Sequence, residues 1–394
     1  MIGIEEIVND QTVAAIDKFL IDSNAFLAKT ITAECRDHGL YSGTSGFLLY
    51  NRYYSFYKKG QEFISKVILD KLLSAPFSVP FHSVNFSNGF SGTLWAYFKL
   101  YQKGLIVIDP DQFIVYRDLL NRELIIYAQN RQWDNLHEAF GLLYVLVETN
   151  LINESGLSFF LEALKMDLYK GPEFIFYRAK SEYGNPDFGF NLGMAHGLAG
   201  HVLILVKVQE RFPSNLVLAS VLKDMVTFLL KTGASGKLDQ KNTLEISHRL
   251  AWCNGILGTS MALFRYGMLT NNDQLRSDAC NALIRCARQK GMRECGITDL
   301  PFCHGAVGPM HIFNRLYFET GHAQFKIASD YWLQEVLDVF EKKGLEGFAA
   351  IYKRPDKSEL SPYLLVGLSG IGLALLSKLY PEVEPTWDSC LFLS

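Results

Sequence analysis

Three short stretches of the chain place thiol or imidazole side chains directly ahead of a pair of glycines. His196 precedes Gly197, Cys253-Asn254 precedes Gly255, and Cys303-His304 precedes Gly305. Thiols and imidazoles are the preferred donors for zinc, and two thiols with one imidazole form a catalytic set of the Cys2His type. Such a set leaves the fourth tetrahedral position open for water or substrate. The spacing is unlike that of Cys-x-x-Cys knuckles, so the pattern draws its weight from the glycines that follow each ligand. Helix N-termini also favour thiolate over thiol, which assists metal capture. Cys295, eight residues before Cys303, lies outside this position, and Cys280, Cys286 and Cys390 read as small hydrophobes. His201, His248 and His311 read as packing or surface histidines.

The glycines belong to a repeat. Gly-x-x-Gly followed by an apolar run occurs at Gly43–Gly46, Gly89–Gly92, Gly197–Gly200, Gly255–Gly258, Gly305–Gly308 and Gly367–Gly370. A degenerate copy, Glu138-Ala139-Phe140-Gly141, fills the long gap after the second. The closing glycines then recur at intervals of 46 to 62 residues, room for two helices per repeat. The runs after Gly141 (Leu142-Leu143-Tyr144-Val145-Leu146-Val147) and after Gly200 (His201-Val202-Leu203-Ile204-Leu205-Val206) are apolar nearly all round, as a fully buried helix must be. Between them lie amphipathic segments. In Tyr331–Lys343, residues Trp332, Val336, Val339 and Phe340 form one stripe with charges opposite.

Seven buried helices alternating with seven amphipathic ones predict an all-α fold, an α/α toroid of inner and outer rings occupying 1–394 as one unit. Leu360 to Ser377, uncharged but interrupted by Pro362 and several glycines, is then the seventh inner helix and its approach rather than a membrane span. In such a toroid the inner helices start on one rim, so the residues ahead of the glycines converge there. The Gly-, Pro- and aromatic-rich stretch 169–191 reads as an irregular loop near that rim.

Composition narrows the function. A formal net charge of -3 without a Lys/Arg run argues against a nucleic-acid partner. The content of 28 Phe, 19 Tyr and 5 Trp argues against disorder. The acidic start Met1-Ile2-Gly3-Ile4-Glu5-Glu6 carries no secretory signal or transmembrane segment, and an odd count of 7 cysteines is no disulfide framework. A cytoplasmic protein, at most peripheral to a membrane through a biosynthetic complex, is the expectation.

Three motifs, Asn191-Leu192-Gly193-Met194-Ala195-His196-Gly197, Ala251-Trp252-Cys253-Asn254-Gly255 and Phe302-Cys303-His304-Gly305, resemble those of the lanthionine synthetase C-like cyclases, and the seven glycine motifs extend the likeness over nearly the whole chain. The resemblance implies Zn2+ held by Cys253, Cys303 and His304. It also implies addition of a precursor peptide's cysteine thiol to dehydroalanine or dehydrobutyrine, closing a thioether ring. Two protein thiolates neutralise the ion, and a third, from substrate, leaves that sulfur electron-rich. By the same resemblance Arg249 matches an arginine suited to the enolate oxygen, and His196 and Asp134 match acid/base positions. His137 and Glu138, flanking Asp134 in the degenerate repeat, leave the proton donor open, and Asp134 has the ordinary alternative of capping a helix. The implied partners are a dehydrated precursor peptide, a separate dehydratase and a transporter. The rival reading is a non-cyclising zinc protein of the same fold that binds glutathione or adds thiols to dehydroamino acids. Toroidal glycosidases would need paired carboxylates, and zinc prenyltransferases a basic diphosphate site; the rim advertises neither.

Overall fold

The computed structural model describes residues 9–32, 34–77, 81–169, 191–234, 249–349 and 359–394. Among these there is no strand, and Asp299 and Gly305 form an isolated bridge. The helices are α1 (Asp10–Thr30), α2 (Thr44–Tyr57), α3 (Lys66–Ser74), α4 (Phe90–Gln102), a single turn α5 (Asp111–Ile114), α6 (Arg117–Gln129), α7 (Ala139–Glu148) and α8 (Glu154–Tyr169). They continue as α9 (Leu198–Arg211), α10 (Leu216–Ala234), α11 (Ile256–Leu269), α12 (Asp273–Ala287), α13 (Val307–Thr320), α14 (Ala323–Lys343) and α15 (Leu368–Leu379).

The six Gly-x-x-Gly pairs and the degenerate Glu138–Gly141 copy open the inner helices α2, α4, α7, α9, α11, α13 and α15, as the repeat predicts. Their burial is complete where the sequence is apolar all round. Every residue of α7 from Ala139 to Val147 is buried, and so is every residue of α9 from Leu198 to Val206. The ring closes because the last inner helix, α15, packs on the first, α2. Outside it lie α1, α3, α6, α8, α10, α12 and α14. On α14, Trp332, Val336 and Phe340 are buried and Val339 half-buried, the expected stripe. Leu360–Ser377 is the approach and body of α15. Among the described residues no helix is long and apolar enough to cross a membrane. Of the irregular stretch 169–191 only the end residues are described; the rest of it, and His248, lie outside the described residues.

The loops ahead of the inner helices join into a second, smaller ring made of backbone. Five residues before each closing glycine stand Tyr41, Ser87, Leu136, Ala195, Cys253, Cys303 and Leu365. Six of the seven donate their N–H to the carbonyl of the equivalent residue next door: Ala195 to Cys253 (3.1 Å), Cys253 to Cys303 (3.2 Å) and Cys303 to Leu365 (3.1 Å). The chain of bonds continues from Leu365 to Tyr41 (3.2 Å), Tyr41 to Ser87 (2.9 Å) and Ser87 to Leu136 (2.8 Å). At the remaining junction the Leu136 N–H turns to its own loop and bonds Asp134 Oδ1 at 2.8 Å. There the Asn135 amide bridges instead, donating to the Met194 carbonyl at 3.2 Å and the Gly197 carbonyl at 2.9 Å.

The ring explains the closing glycines. A methyl group at Gly370 would overlap the Leu364 carbonyl oxygen, and one at Gly92 the Phe86 carbonyl oxygen, because each loop folds back over the first turn of its own helix. Backbone cannot move aside as a side-chain tip can, so Gly370→Ala is expected to destabilise the fold by about 1–3 kcal/mol, the range for overpacking. The denaturation midpoint measures this, and an unchanged midpoint would show that the loop yields without cost.

The chain's last residues fill the middle of the toroid. Asp388 to Leu393 are buried, and their carbonyls take bonds from Tyr41 Oη to Cys390 (2.5 Å), from Tyr144 Oη to Ser389 (2.6 Å) and from Trp252 Nε1 to Leu391 (2.9 Å). Tyr41 and Trp252 belong to rim loops, so this segment braces the rim from below.

Candidate active site at the rim

Cys253 and Cys303 occupy equivalent ring positions on neighbouring loops, and the ring places their side chains within hydrogen-bonding range of each other. The Cys303 thiol donates to Cys253. That bond, opposed by burial but assisted by the nearby charges of Arg249 and His196, brings the Cys253 thiol down to about 7. The same bond and burial hold the second proton on Cys303 well above its ordinary range. The pair therefore releases one proton readily and keeps the other until something stronger than a proton competes for it.

His304 follows Cys303, and its Nδ1 lies 3.7 Å from Asp299 Oδ2. Asp299 is set by backbone pairing, with Ala306 N–H donating to its carbonyl at 3.0 Å and Thr298 N–H to the His304 carbonyl at 3.3 Å. Burial, reinforced by Arg249, lowers His304 to about 4, so the imidazole is neutral at physiological pH and its lone pair is available to a metal. A carboxylate behind a ligating imidazole is the usual arrangement for orienting it.

Arg249 reaches this group from the fifth loop. Its Nε donates to the Gly296 carbonyl at 3.1 Å, which fixes the plane of the guanidinium and presents its terminal nitrogens. Gly255, two residues past Cys253, has φ +150°, and a Cβ there would overlap the Arg249 carbonyl oxygen, so the loop carrying both residues needs glycine at this point.

His196 and Asp134 meet on the next side of the rim. His196 Nδ1 is 2.7 Å from Asp134 Oδ2, and because a carboxylate only accepts, Nδ1 carries a proton and donates it to that oxygen. The His196 side chain remains 42% exposed. Asp134 Oδ1 meanwhile accepts from Leu136 N–H and His137 N–H, both at 2.8 Å, while the Asp134 N–H donates to Glu138 Oε2 at 2.9 Å. Burial would raise the Asp134 carboxyl, but the hydrogen bond and charge of His196, with the Leu136 N–H, outweigh it and hold the group below its usual value. The cap position of α7 is Glu138, so Asp134 caps the turn before the helix with one oxygen and holds His196 with the other.

The structure thus brings Cys253, Cys303 and Arg249 together and His196 onto Asp134, with His304 beside Asp299. Among the described residues, one group of three metal-capable side chains has its ligand atoms all within 4.8 Å of one another, and it is Asp134, His137 and His196. As a donor set, the acidified Cys253 thiol, its Cys303 partner and the neutral His304 still suit zinc, whose ligands must shed protons to bind. Cys286, Cys295 and Cys390 are unsuited to this. Burial pushes the Cys286 and Cys295 thiols up to about 12 and about 11, and Cys390 well up. His201 is buried against Phe140, lowered to about 4, and bonds the Gly197 carbonyl at 2.6 Å. His311 is buried with its Nε2 2.7 Å from Asp388. Asp299 was missed from sequence; the signal was a carboxylate in the otherwise uncharged run Gly296–Phe302.

A closed double ring of helices with two thiols, imidazoles and an arginine on one rim defines the class, an α/α toroid with a thiol-imidazole rim. Residues 34–392 match the model of lanthionine synthetase C-like proteins, and the chain belongs to that family. It is 31% identical over 193 residues to the nisin biosynthesis protein NisC of Lactococcus lactis subsp. lactis. That alignment spans 43% of this chain and 45% of NisC, under half the length of either. The solved structure of nisin cyclase has the same fold, with a TM-score of 0.67 and 19% identity over 98% of both chains.

Proposed function

We propose that the protein is a zinc-dependent cyclase that adds cysteine thiols of a dehydrated precursor peptide to dehydroalanine or dehydrobutyrine residues, forming lanthionine or methyllanthionine rings. The observation that carries this reading is the pairing, on one rim, of a two-thiol site, whose Cys253 is acidified, with a carboxylate-held imidazole. Cys253, Cys303 and His304 would hold the zinc, which when bound lowers the pKa of a substrate thiol and keeps it nucleophilic. The chain's own residues manage the protons. The substrate S–H bond breaks and its proton passes to His196 Nε2, with Asp134 stabilising the imidazolium that results. The new C–S bond forms at the β-carbon, the C=C electron pair moves to the carbonyl oxygen, and Arg249 offers N–H donors to that enolate. His196 then returns the proton to the α-carbon, so every atom of the substrate is retained.

Retention of atoms dictates the test. Ring closure leaves the peptide's mass unchanged, so it must be read as loss of alkylatable thiol in a peptide carrying both a cysteine and a dehydroamino acid. The expected result is enzyme- and zinc-dependent protection from alkylation. Thiols that stay alkylatable at the uncatalysed rate would overturn the reading. A mass gain from added glutathione instead would favour the non-cyclising alternative. A dehydratase supplying the substrate and a transporter removing the product would complete such a pathway.

A further inference from the structure

The degenerate third repeat does more than break the backbone ring. It places a histidine, His137, four residues before its closing glycine, the register His196 and His304 occupy in theirs. The rings of His137 and His196 lie nearly parallel, 13° apart with centroids 5.5 Å apart. The Leu136 N–H, diverted from the ring, and the His137 N–H together pin the Asp134 carboxylate beside them. All three side chains are partly exposed, and their ligand atoms lie within 4.8 Å of one another. Donors around a divalent first-row ion with bonds of about 2.1 Å sit roughly 3 to 4.2 Å apart, so this spacing closes on an ion with little adjustment. The 2.7 Å separation of His196 Nδ1 and Asp134 Oδ2 is close to that of two adjacent ligands. Because the rings are nearly parallel, one of them must turn about its Cβ–Cγ bond to aim a lone pair at the ion, and that torsion is soft in histidine.

We propose that Asp134, His137 and His196 form a second divalent-cation site on the rim, selective for zinc-like ions through two imidazoles and one carboxylate, and separate from the thiol site. Binding there exchanges the proton between His196 and Asp134 for the metal. The displaced proton moves to Nε2 of a neutral ring or leaves to solvent from an imidazolium, and no oxidant or reductant is needed. The ion would occupy the imidazole that the cyclase reading uses to carry protons, so the second site would act as an inhibitory one. That consequence rests on the proposed function; the site itself does not.

The test is titration of the metal-free full chain with Co2+ and Zn2+, counting equivalents by calorimetry and elemental analysis, for wild type, His137→Gln and Cys303→Ala. Co2+ bound to thiolates shows intense sulfur charge-transfer absorption, and Co2+ on nitrogen and oxygen ligands does not, so the two sites are read separately. The expected result in wild type is two equivalents, the second without a sulfur band. In His137→Gln that second equivalent weakens by roughly tenfold or more while the sulfur band is unchanged, since one of three ligands is lost. Ring closure by wild type falls as zinc exceeds one equivalent, and this dependence is lost in His137→Gln. A single equivalent in wild type, or a second equivalent untouched by His137→Gln, overturns the second site while leaving the thiol site standing. The converse, a sulfur band that survives Cys303→Ala together with loss of the other equivalent in His137→Gln, keeps the second site and defeats the thiol ligand set.

Discussion

Replacement of Cys303 by alanine is expected to remove zinc from the purified protein and to lower ring closure by about 10³-fold or more, the scale of losing metal-based charge stabilisation worth several kcal/mol. The variant should nevertheless fold. Cys303 serves the rim ring through its backbone, donating to Leu365 and accepting from Cys253, and both bonds survive removal of the thiol. What disappears is a ligand and a hydrogen-bond donor. The donated bond is the largest cause of the acidity of Cys253, so that thiol should climb from about 7 in the variant. The pH dependence of alkylation in metal-free protein measures the climb. Elemental analysis of zinc per chain, with circular dichroism as the folding control, measures the rest. About one zinc in wild type and little in the variant is the expected pair of values under conditions without excess metal; zinc undiminished in the variant would defeat the ligand assignment.

The second large effect belongs to His196→Ala. A positioned acid/base contributes about 10²- to 10⁴-fold, and ring closure should fall within that range while zinc at the thiol site stays bound. The separation of the two effects follows from geometry. His196 bonds Asp134, and its influence on Cys253 is through charge alone, smaller than that of the Cys303 bond or of Arg249. Removing it also takes away the strongest support for the lowered Asp134 carboxyl, which keeps only its backbone donors. Its pKa should therefore rise in the variant, toward its ordinary value or beyond it under the pull of burial. The measurement is single-turnover thiol loss with saturating peptide, beside zinc content. Turnover equal to wild type would remove His196 from proton transfer; loss of zinc together with turnover would recast it as a support for the metal.

Much of this molecule was legible in its sequence, for a physical reason. Six glycine pairs and one degenerate copy in register, each followed by a strongly apolar run, admit few solutions other than buried helices, and amphipathic partners such as Tyr331–Lys343 supply their cover. Once the inner helices share a direction, the residues ahead of their glycines must share a rim. Cys253, Cys303, His304 and His196 could thus be placed near one another from repeat register, although up to 108 residues separate them in the chain.

Pairwise partners were decided only by the folded chain. Periodicity brings His196 to the rim; it does not say that Asp134, 62 residues earlier, divides its two oxygens between that imidazole and the turn it caps. Nor does it show that Asp299 stands behind His304, or that His137 lies against His196. The backbone ring through Tyr41, Ser87, Leu136, Ala195, Cys253, Cys303 and Leu365 left no trace in residue type, since hydrogen bonds between peptide groups are indifferent to the side chains they carry. The acidity of Cys253 likewise depends on a neighbour's proton and on the charge of the Arg249 guanidinium. Sequence determined which residues share a rim, because burial and repeat length act along the chain; tertiary structure decided which of them touch, because hydrogen bonds and charge act through space.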